Sequence, residues 1–228
     1  SLGFRRRIKS SVIENEYIID FQRRRRLGIV EAIWGEHKTV KQISAILRKF
    51  QIASEIALVT RLSPEKGKEL LQEFPSAKFH SKAGCLTIGD LGESNSSLGE
   101  VIILSGGTSD LKVASEAEIS LNIHGIKTKL LIDVGVAGLY RLLERLDEIK
   151  KAKVVIACAG MEGALPTVLT GLIPQPVIGL PVSVGYGISS QGKTSLEGML
   201  ASCAPGLLVV NIDNGYGAAM AAFRILSS

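Results

Sequence analysis

At 228 residues, 46% of them hydrophobic and 21% charged, the chain is long enough for a substantial core in one domain or two and is too apolar for general disorder. The longest apolar runs, such as 153–160, fall far short of the ~20 residues that cross a bilayer, so no membrane span is predicted. The formal net charge is +5 and the cysteines are three, Cys85, Cys158 and Cys203; their odd number and scatter exclude a disulfide framework and a zinc spacing, and suit a soluble protein of a reducing compartment.

Positive charge concentrates in the first 26 residues, in Arg5-Arg6-Arg7, Lys9 and Arg23-Arg24-Arg25-Arg26. Aromatic stacking partners are few there, so the run reads as a solvated basic face or a phosphate clamp for a small ligand, not as a nucleic-acid surface. The chain opens on Ser1 without an apolar signal core. A trimmed chain or a processed precursor is expected, cytoplasmic, or organellar (plastid) where a targeting segment has been removed.

Helical patterns cover 20–34 and 39–50, with strand-like pieces at 56–60 and 85–88, which together predict a small α+β domain over 1–95. At 89–97 the composition turns to Gly, Ser and Asn, a linker or long turn. Beyond it, short doubly apolar runs at 101–104, 128–132, 154–157, 176–180 and 207–210 alternate with helical segments at 109–123, 138–150, 163–172, 194–202 and 217–226. Such alternation predicts a doubly wound α/β domain over 96–228, a three-layer, Rossmann-like parallel sheet with right-handed crossovers.

Ligands of such sheets bind outside the carboxyl ends of the strands. Each of those ends carries glycine or a polar residue. After the first strand come Gly106, Gly107, Thr108, Ser109 and Asp110, where glycines admit a ligand to the backbone and the next helix offers free N–H groups to a phosphate. The alternative is a tight turn capped by Ser109 or Asp110. Neither a Walker A loop nor a GxGxxG fingerprint is present. The second end is Asp133, Val134, Gly135, Val136 and Ala137, the third Gly160, Met161 and Glu162, and the fourth Gly185, Tyr186 and Gly187. Glu162 can cap its helix, hold a ribose hydroxyl or transfer a proton, whereas Met161 reads first as packing.

Near the carboxyl terminus, Cys203 lies in the loop Ser202-Cys203-Ala204-Pro205-Gly206, before a strand that delivers Asp213 and Asn214 into a glycine turn. The pattern fits a nucleophile beside a polar cradle, or else a half-buried structural cysteine. Because Cys203 precedes the fifth strand, it starts at the rim opposite the glycine-rich ends. Either its loop folds over, or it completes a neighbouring subunit's site.

Taken together, the Gly106-Gly107-Thr108-Ser109-Asp110 turn, the 159–166 segment and the 176–182 run resemble the aminoimidazole ribonucleotide carboxylase/mutase (PurE) superfamily. The 133–138 segment, Ser183 to Gly187, Ser202-Cys203-Ala204 and the 210–217 segment resemble more closely the LarB family of carboxylase/hydrolases, which begin synthesis of a nickel-pincer nucleotide. Asp20, Arg23, Arg26, Gly28 and Glu31 match that family's amino-terminal segment, as does Arg61-Leu62-Ser63-Pro64-Glu65.

The resemblance implies a PurE-like fold and carboxylation of the pyridinium ring of nicotinic acid adenine dinucleotide, with its phosphoanhydride hydrolysed to release AMP. It assigns Cys203 as the nucleophile and Glu162 and Asp110 to substrate contact or proton transfer. Substrate binding is expected from Arg23, Arg26 and the crevice residues 106–109, 133, 135–137, 160, 161, 185–187, 213 and 214, with Asp133 and Asp213 shaping the crevice. Carbon dioxide or bicarbonate is the expected co-substrate. No tightly bound cofactor and no metal ligand set are expected, although magnesium is a candidate helper in the hydrolysis, and the expected assembly is a homo-octamer with sites at subunit interfaces.

Departures from both patterns are informative. The purine enzymes carry a Ser-Ala-His-Arg motif after the second strand, and Asp133-Val134-Gly135-Val136 has no histidine to shuttle their proton. Relative to the LarB pattern, Lys112 replaces a proline, Tyr140 a histidine and Ala201 an asparagine, while Gln191-Gly192-Lys193 stands near a usual aromatic-Gly-Gly. An aminoimidazole ribonucleotide carboxylase or mutase, and a non-catalytic nucleotide-binding module, are the alternatives.

Overall fold

The computed structural model describes residues 19–89 and 96–228. The Arg5–Lys9 basic run and residues 90–95 of the expected linker lie outside them. The amino-terminal part contains α1 (Arg23–Leu27), β1 (Ala32–Trp34), α2 (Val40–Ile52), β2 (Ala57–Thr60), α3 (Pro64–Glu73), β3 (Lys78–His80) and β4 (Cys85–Ile88). Its sheet runs β1-β2-β4-β3, with β1 parallel to β2 and the other pairs antiparallel.

The helix expected over 20–34 is corrected to one short helix and a strand. Gly28 takes a left-handed conformation, φ 70°, and donates its N–H to the Arg24 carbonyl, which closes α1 and turns the chain toward β1. α2 begins at a capping box in which Thr39 Oγ1 accepts the Gln42 N–H and Gln42 Oε1 accepts the Thr39 N–H. α3, absent from the sequence reading, starts on a Ser63 cap with Pro64 in its first turn. Ile43, Leu47, Phe50, Leu70 and Phe74 bury the inner faces of these helices against the sheet.

The remainder contains β5 (Glu100–Ser105), α4 (Leu111–Asn122), β6 (Lys127–Leu131), α5 (Leu139–Leu143), α6 (Leu146–Ile149), β7 (Val154–Ala159), α7 (Ala164–Thr170), β8 (Val177–Pro181), α8 (Lys193–Leu200), β9 (Leu208–Val209) and α9 (Gly215–Leu226). The five strands are all parallel in the order β6-β5-β7-β8-β9, as the doubly wound reading requires. α4 and α9 cover one face, α7 and α8 the other. The order reverses between β5 and β7, which makes that junction the topological switch point.

β5, β7 and β8 are buried on both faces, but β6 is not the doubly apolar strand expected: as an edge, it exposes Lys127 and Lys129, which pair with Glu100 and Glu148. The helix expected over 138–150 splits into α5 and α6 where the bonding tightens to i→i+3, Arg145 N–H to Leu142 carbonyl at 3.0 Å.

The two sheets share a small apolar core. Val30, Ile56, Leu58, Ala83 and Cys85 pack with Ile119 and Ile123 on the α4 side and Tyr216 of α9. Polar bonds add register: the Tyr216 hydroxyl donates to the Val30 carbonyl at 2.9 Å, and His124 Nε2 accepts the Val30 N–H at 2.9 Å while its Nδ1 donates to the Ser120 carbonyl at 2.6 Å.

That bonding needs a neutral ring, and burial lowers the His124 pKa below its ordinary value, aided by Arg24 and opposed by the Ser120 bond. The unfolded chain therefore takes up the proton first, so the contribution is complete above the ordinary histidine pKa of about 6.5 and is lost as pH falls from there through the lowered folded-state value. His80, lowered by burial and by Lys78, acts in the same direction. The thermal midpoint is expected to fall by a few degrees from about pH 7.5 to about pH 5.5. The fall should be smaller in His124→Gln; equal slopes would remove His124 from this account.

Candidate active site

A crevice of about 470 Å³ opens at the carboxyl ends of β5, β6, β7 and β8, at the switch point. Its walls are the loops after those strands, which approach so closely that side chains are excluded. A Cβ on Gly135 would sit 2.5 Å from the Gly106 carbonyl oxygen, and one on Gly160 would collide with the Val184 carbonyl oxygen. Gly107 differs, because a Cβ there meets nothing within 4 Å. Its missing side chain leaves space for a ligand, not for protein.

Asp110 lies at the floor and is 5% exposed. Its Oδ2 accepts the Gly107 N–H at 2.8 Å, and the backbone N–H groups of Gly160 and Gly106 are turned toward the carboxyl and favour its charged form. Burial pushes its pKa up, the three backbone N–H groups oppose that shift, and the negative Asp213 adds to it. Such a carboxyl accepts a proton from a bound ligand more readily than an ordinary aspartate does. Glu162 shares the crevice wall, and among the described residues Arg141 is the one cationic side chain lining it. Arg141 pairs with Asp133 across Gly138.

Backbone strain gathers on these loops. Asp133 (φ 61°), Met161 (φ 53°) and Asp213 (φ 55°) follow the ends of β6, β7 and β9 in left-handed conformation, as does Arg61 (φ 56°) after β2. For non-glycine residues this costs of order 1–3 kcal/mol each and concentrates at ligand sites. Met161 therefore belongs to the crevice wall, beyond the packing role its residue type suggests.

Beside the crevice, sharing Ser109 and Val184 with it, lies a second chamber of about 450 Å³ between the two sheets. Asp213 is on its wall: Oδ1 accepts the Ser183 N–H at 2.8 Å, and its carbonyl accepts Arg61 Nη2 at 2.6 Å. Lys112 and Glu116 of α4 also line it.

The structure thus gathers Gly106, Gly107, Ser109, Asp110, Gly135, Val136, Ala137, Gly160, Met161, Glu162, Gly185 and Tyr186 around one crevice. Asp213 adjoins it, Asn214 caps α9 through the Gly217 N–H, Thr108 and Gly187 stand outside the lining in helical turns, and Asp133 acts on it through Arg141. Arg23 and Arg26 are not brought there. Both pair with Asp20, whose carboxyl the Arg26 bond holds below the usual range, and Arg23 also faces Glu31. Glu31 in turn accepts the Asp20 N–H, so this matched segment is an internal clasp.

Cys203 is exposed, whereas Cys85 and Cys158 are buried with thiol pKa values pushed up by burial. It does not line its own crevice. Its loop leaves α8 and enters β9 at the amino end, and Ser202 Oγ is tied to Thr167 Oγ1 of α7 at 2.8 Å. The sequence reading missed Arg141, Glu116 and the placement of Arg61. Only packing aims them at the site, and no local spacing signals it.

Residues 100–228 match the AIR carboxylase family and residues 16–90 the LarB/PurE-like N-terminal domain. A Methanocaldococcus jannaschii protein described as uncharacterized is 40% identical over 214 residues, 90% of this chain and 82% of that protein. An N5-carboxyaminoimidazole ribonucleotide mutase of Pyrococcus abyssi is 34% identical over 138 residues, 56% of this chain and 74% of the mutase. A crystal structure of Treponema denticola PurE is 25% identical with a TM-score of 0.49, covering 56% of this chain and 80% of that one. With more than half of its length matched, including every strand of the crevice sheet, the chain belongs to the AIR carboxylase family.

Proposed function

We propose that this family member is a LarB-type carboxylase/hydrolase, which carboxylates the pyridinium ring of nicotinic acid adenine dinucleotide and hydrolyses its phosphoanhydride to release AMP. The observation that carries the reading is a crevice without histidine that continues into a second chamber walled by the amino-terminal loops after β1 and β2 and the start of α3. The resembled purine enzymes need a histidine proton shuttle. Here His37, His80 and His124 all lie off both linings.

A pyridinium ring does not attack carbon dioxide, so it must first gain electrons. In the proposed sequence the Cys203 thiolate bonds to the ring carbon beside the nitrogen, and the displaced π pair neutralises the nitrogen to give an enamine. The enamine's distal carbon attacks carbon dioxide. Asp110 or Glu162 takes the proton from that carbon, the C–H pair restores the ring, and the thiolate is expelled. Net, a ring hydrogen leaves as a proton and a carboxylate replaces it, with neither biotin nor ATP. Arg141 is positioned to hold the incoming carboxylate.

Since Cys203 stands off its own crevice, the reading includes a neighbouring subunit that supplies the thiol within a homo-oligomer, an octamer in the resembled family. Among the described residues no group of three or more His, Cys, Asp or Glu could hold a metal ion, and no step of the proposed sequence is routed through one. No described helix is long and apolar enough to cross a membrane.

Incubation with nicotinic acid adenine dinucleotide and labelled bicarbonate, followed by mass spectrometry, tests the reaction. A mononucleotide product carrying one added labelled carboxyl, with AMP released, is expected. Binding without any change of mass would leave a nucleotide-binding module, and turnover of aminoimidazole ribonucleotide instead would assign the purine reaction.

A further inference from the structure

The interdomain chamber does not end at Arg61. Beyond that side chain, and sharing Arg61 and Glu116 with the chamber, a groove of about 340 Å³ runs along β1 and the 211–216 segment. Crevice, chamber and groove therefore adjoin one another in sequence. Trp34 on the groove wall is 49% exposed, an unusual placement for the largest apolar side chain in the protein. The Arg61 guanidinium carbon lies 5.8 Å from its ring centroid.

Charge is unevenly spent along this path. Each acid of the chamber is already engaged: Glu36 Oε2 accepts Trp34 Nε1 at 3.1 Å and faces Arg61 at 3.7 Å, Asp213 holds the Ser183 N–H, and Glu116 Oε1 accepts the Tyr216 N–H at 2.9 Å. Lys66 is saturated by the carbonyls of Gly35, Glu36 and Lys38. Lys112 is not. It lines the chamber from the first turn of α4, where no hydrogen bond or salt bridge ties it to a described residue and its charge acts on Glu116 one turn along the helix, which leaves its ammonium donors open in the middle of the path.

We propose that Lys112 and Arg61 form a diphosphate subsite in the chamber and that the half-exposed ring of Trp34 is the stacking platform for the purine base beyond it. The inference rests on the dinucleotide reading above and deepens it. A dinucleotide has its reacting ring at one end, two phosphates in the middle and a purine at the other end, and the path has a glycine-walled crevice, two cations and an indole in that order. The amino-terminal sheet, which supplies Trp34 and Arg61, thereby selects for the adenylate half and holds the anhydride that is to be cleaved. Ammonium and guanidinium groups suit phosphate oxygens, and an indole face binds any purine by stacking.

Trp34 is the chain's single tryptophan, so its emission reports the platform directly. With ADP as probe, saturable quenching of the intact protein is expected, with inorganic pyrophosphate competing. The midpoint should rise at least tenfold in Lys112→Ala and recover in large part in Lys112→Arg. Calorimetry with Trp34→Ala should show weakened ADP binding, while nicotinic acid mononucleotide, which lacks the adenylate, binds that variant as it binds the wild type. ADP binding that leaves Trp34 emission unchanged and is equal in Lys112→Ala overturns the subsite, as does the absence of ADP binding. Turnover of the full dinucleotide with an unchanged KM in Lys112→Ala overturns the subsite and leaves the carboxylation standing. Quenching by ADP that Lys112→Ala abolishes, without turnover of the dinucleotide, supports the subsite and overturns the carboxylation.

Discussion

Cys203→Ser is expected to reduce carboxylation by roughly a thousandfold or more, about 4 kcal/mol of barrier, while dinucleotide affinity changes little. A serine hydroxyl has nearly the same size but is almost wholly un-ionised at neutral pH, so it cannot add to the ring. Folding should be unaffected, since the thiol is exposed; Cys158→Ala, within the buried β7, should act on stability alone. Activity equal to wild type in Cys203→Ser would end the covalent mechanism.

The position of that thiol makes a second measurement decisive for the assembly. Subunits carrying Cys203→Ser, mixed under mild dissociation with inactive Gly107→Val subunits, should regain part of the activity, because a hybrid interface can join one intact thiol to one intact crevice. Native mass spectrometry must verify the hybrids. If verified hybrids stay inactive, or if the protein turns over as a monomer, the shared site is rejected.

The glycine walls give the other large effect, and they separate structure from ligand contact. Gly160→Ala is expected to abolish turnover and to lower stability by about 1–3 kcal/mol, because its Cβ would meet the Val184 backbone carbonyl, which cannot yield as a flexible side chain would. For a chain of this length that is a fall in thermal midpoint of roughly 2–12 °C. Gly107→Val is expected to abolish ligand binding with the midpoint nearly unchanged. Gly107 has an extended conformation, φ −137°, which a β-branched residue adopts readily, and open space in front of it. Calorimetric titration alongside thermal melts checks both. A Gly107→Val protein that melts normally and binds ligand with wild-type affinity would reduce that turn to a structural role, and a Gly160→Ala protein with wild-type stability would show that the loops after β7 and β8 can part.

The sequence by itself determined the doubly wound sheet and the composition of its crevice. Both rest on local signals: apolar runs that suit strands buried on two faces, helical periods between them, and glycine at each strand end. In a parallel sheet all carboxyl ends share one rim, so Gly106, Gly135, Gly160 and Gly185 had to meet once the alternation was read. Tertiary structure decided the rest. β6 became an exposed edge because the order places it beyond β5, and α1 stopped at Gly28 because a left-handed turn redirected the chain into β1. Arg23 and Arg26, basic residues in sequence, were neutralised by Asp20 and Glu31, whereas Lys112 kept its charge facing a chamber. Arg61 reached the Asp213 carbonyl across 152 positions of chain. Such pairings depend on which surfaces two separately patterned sheets present to each other, and no window of neighbouring residues contains that information.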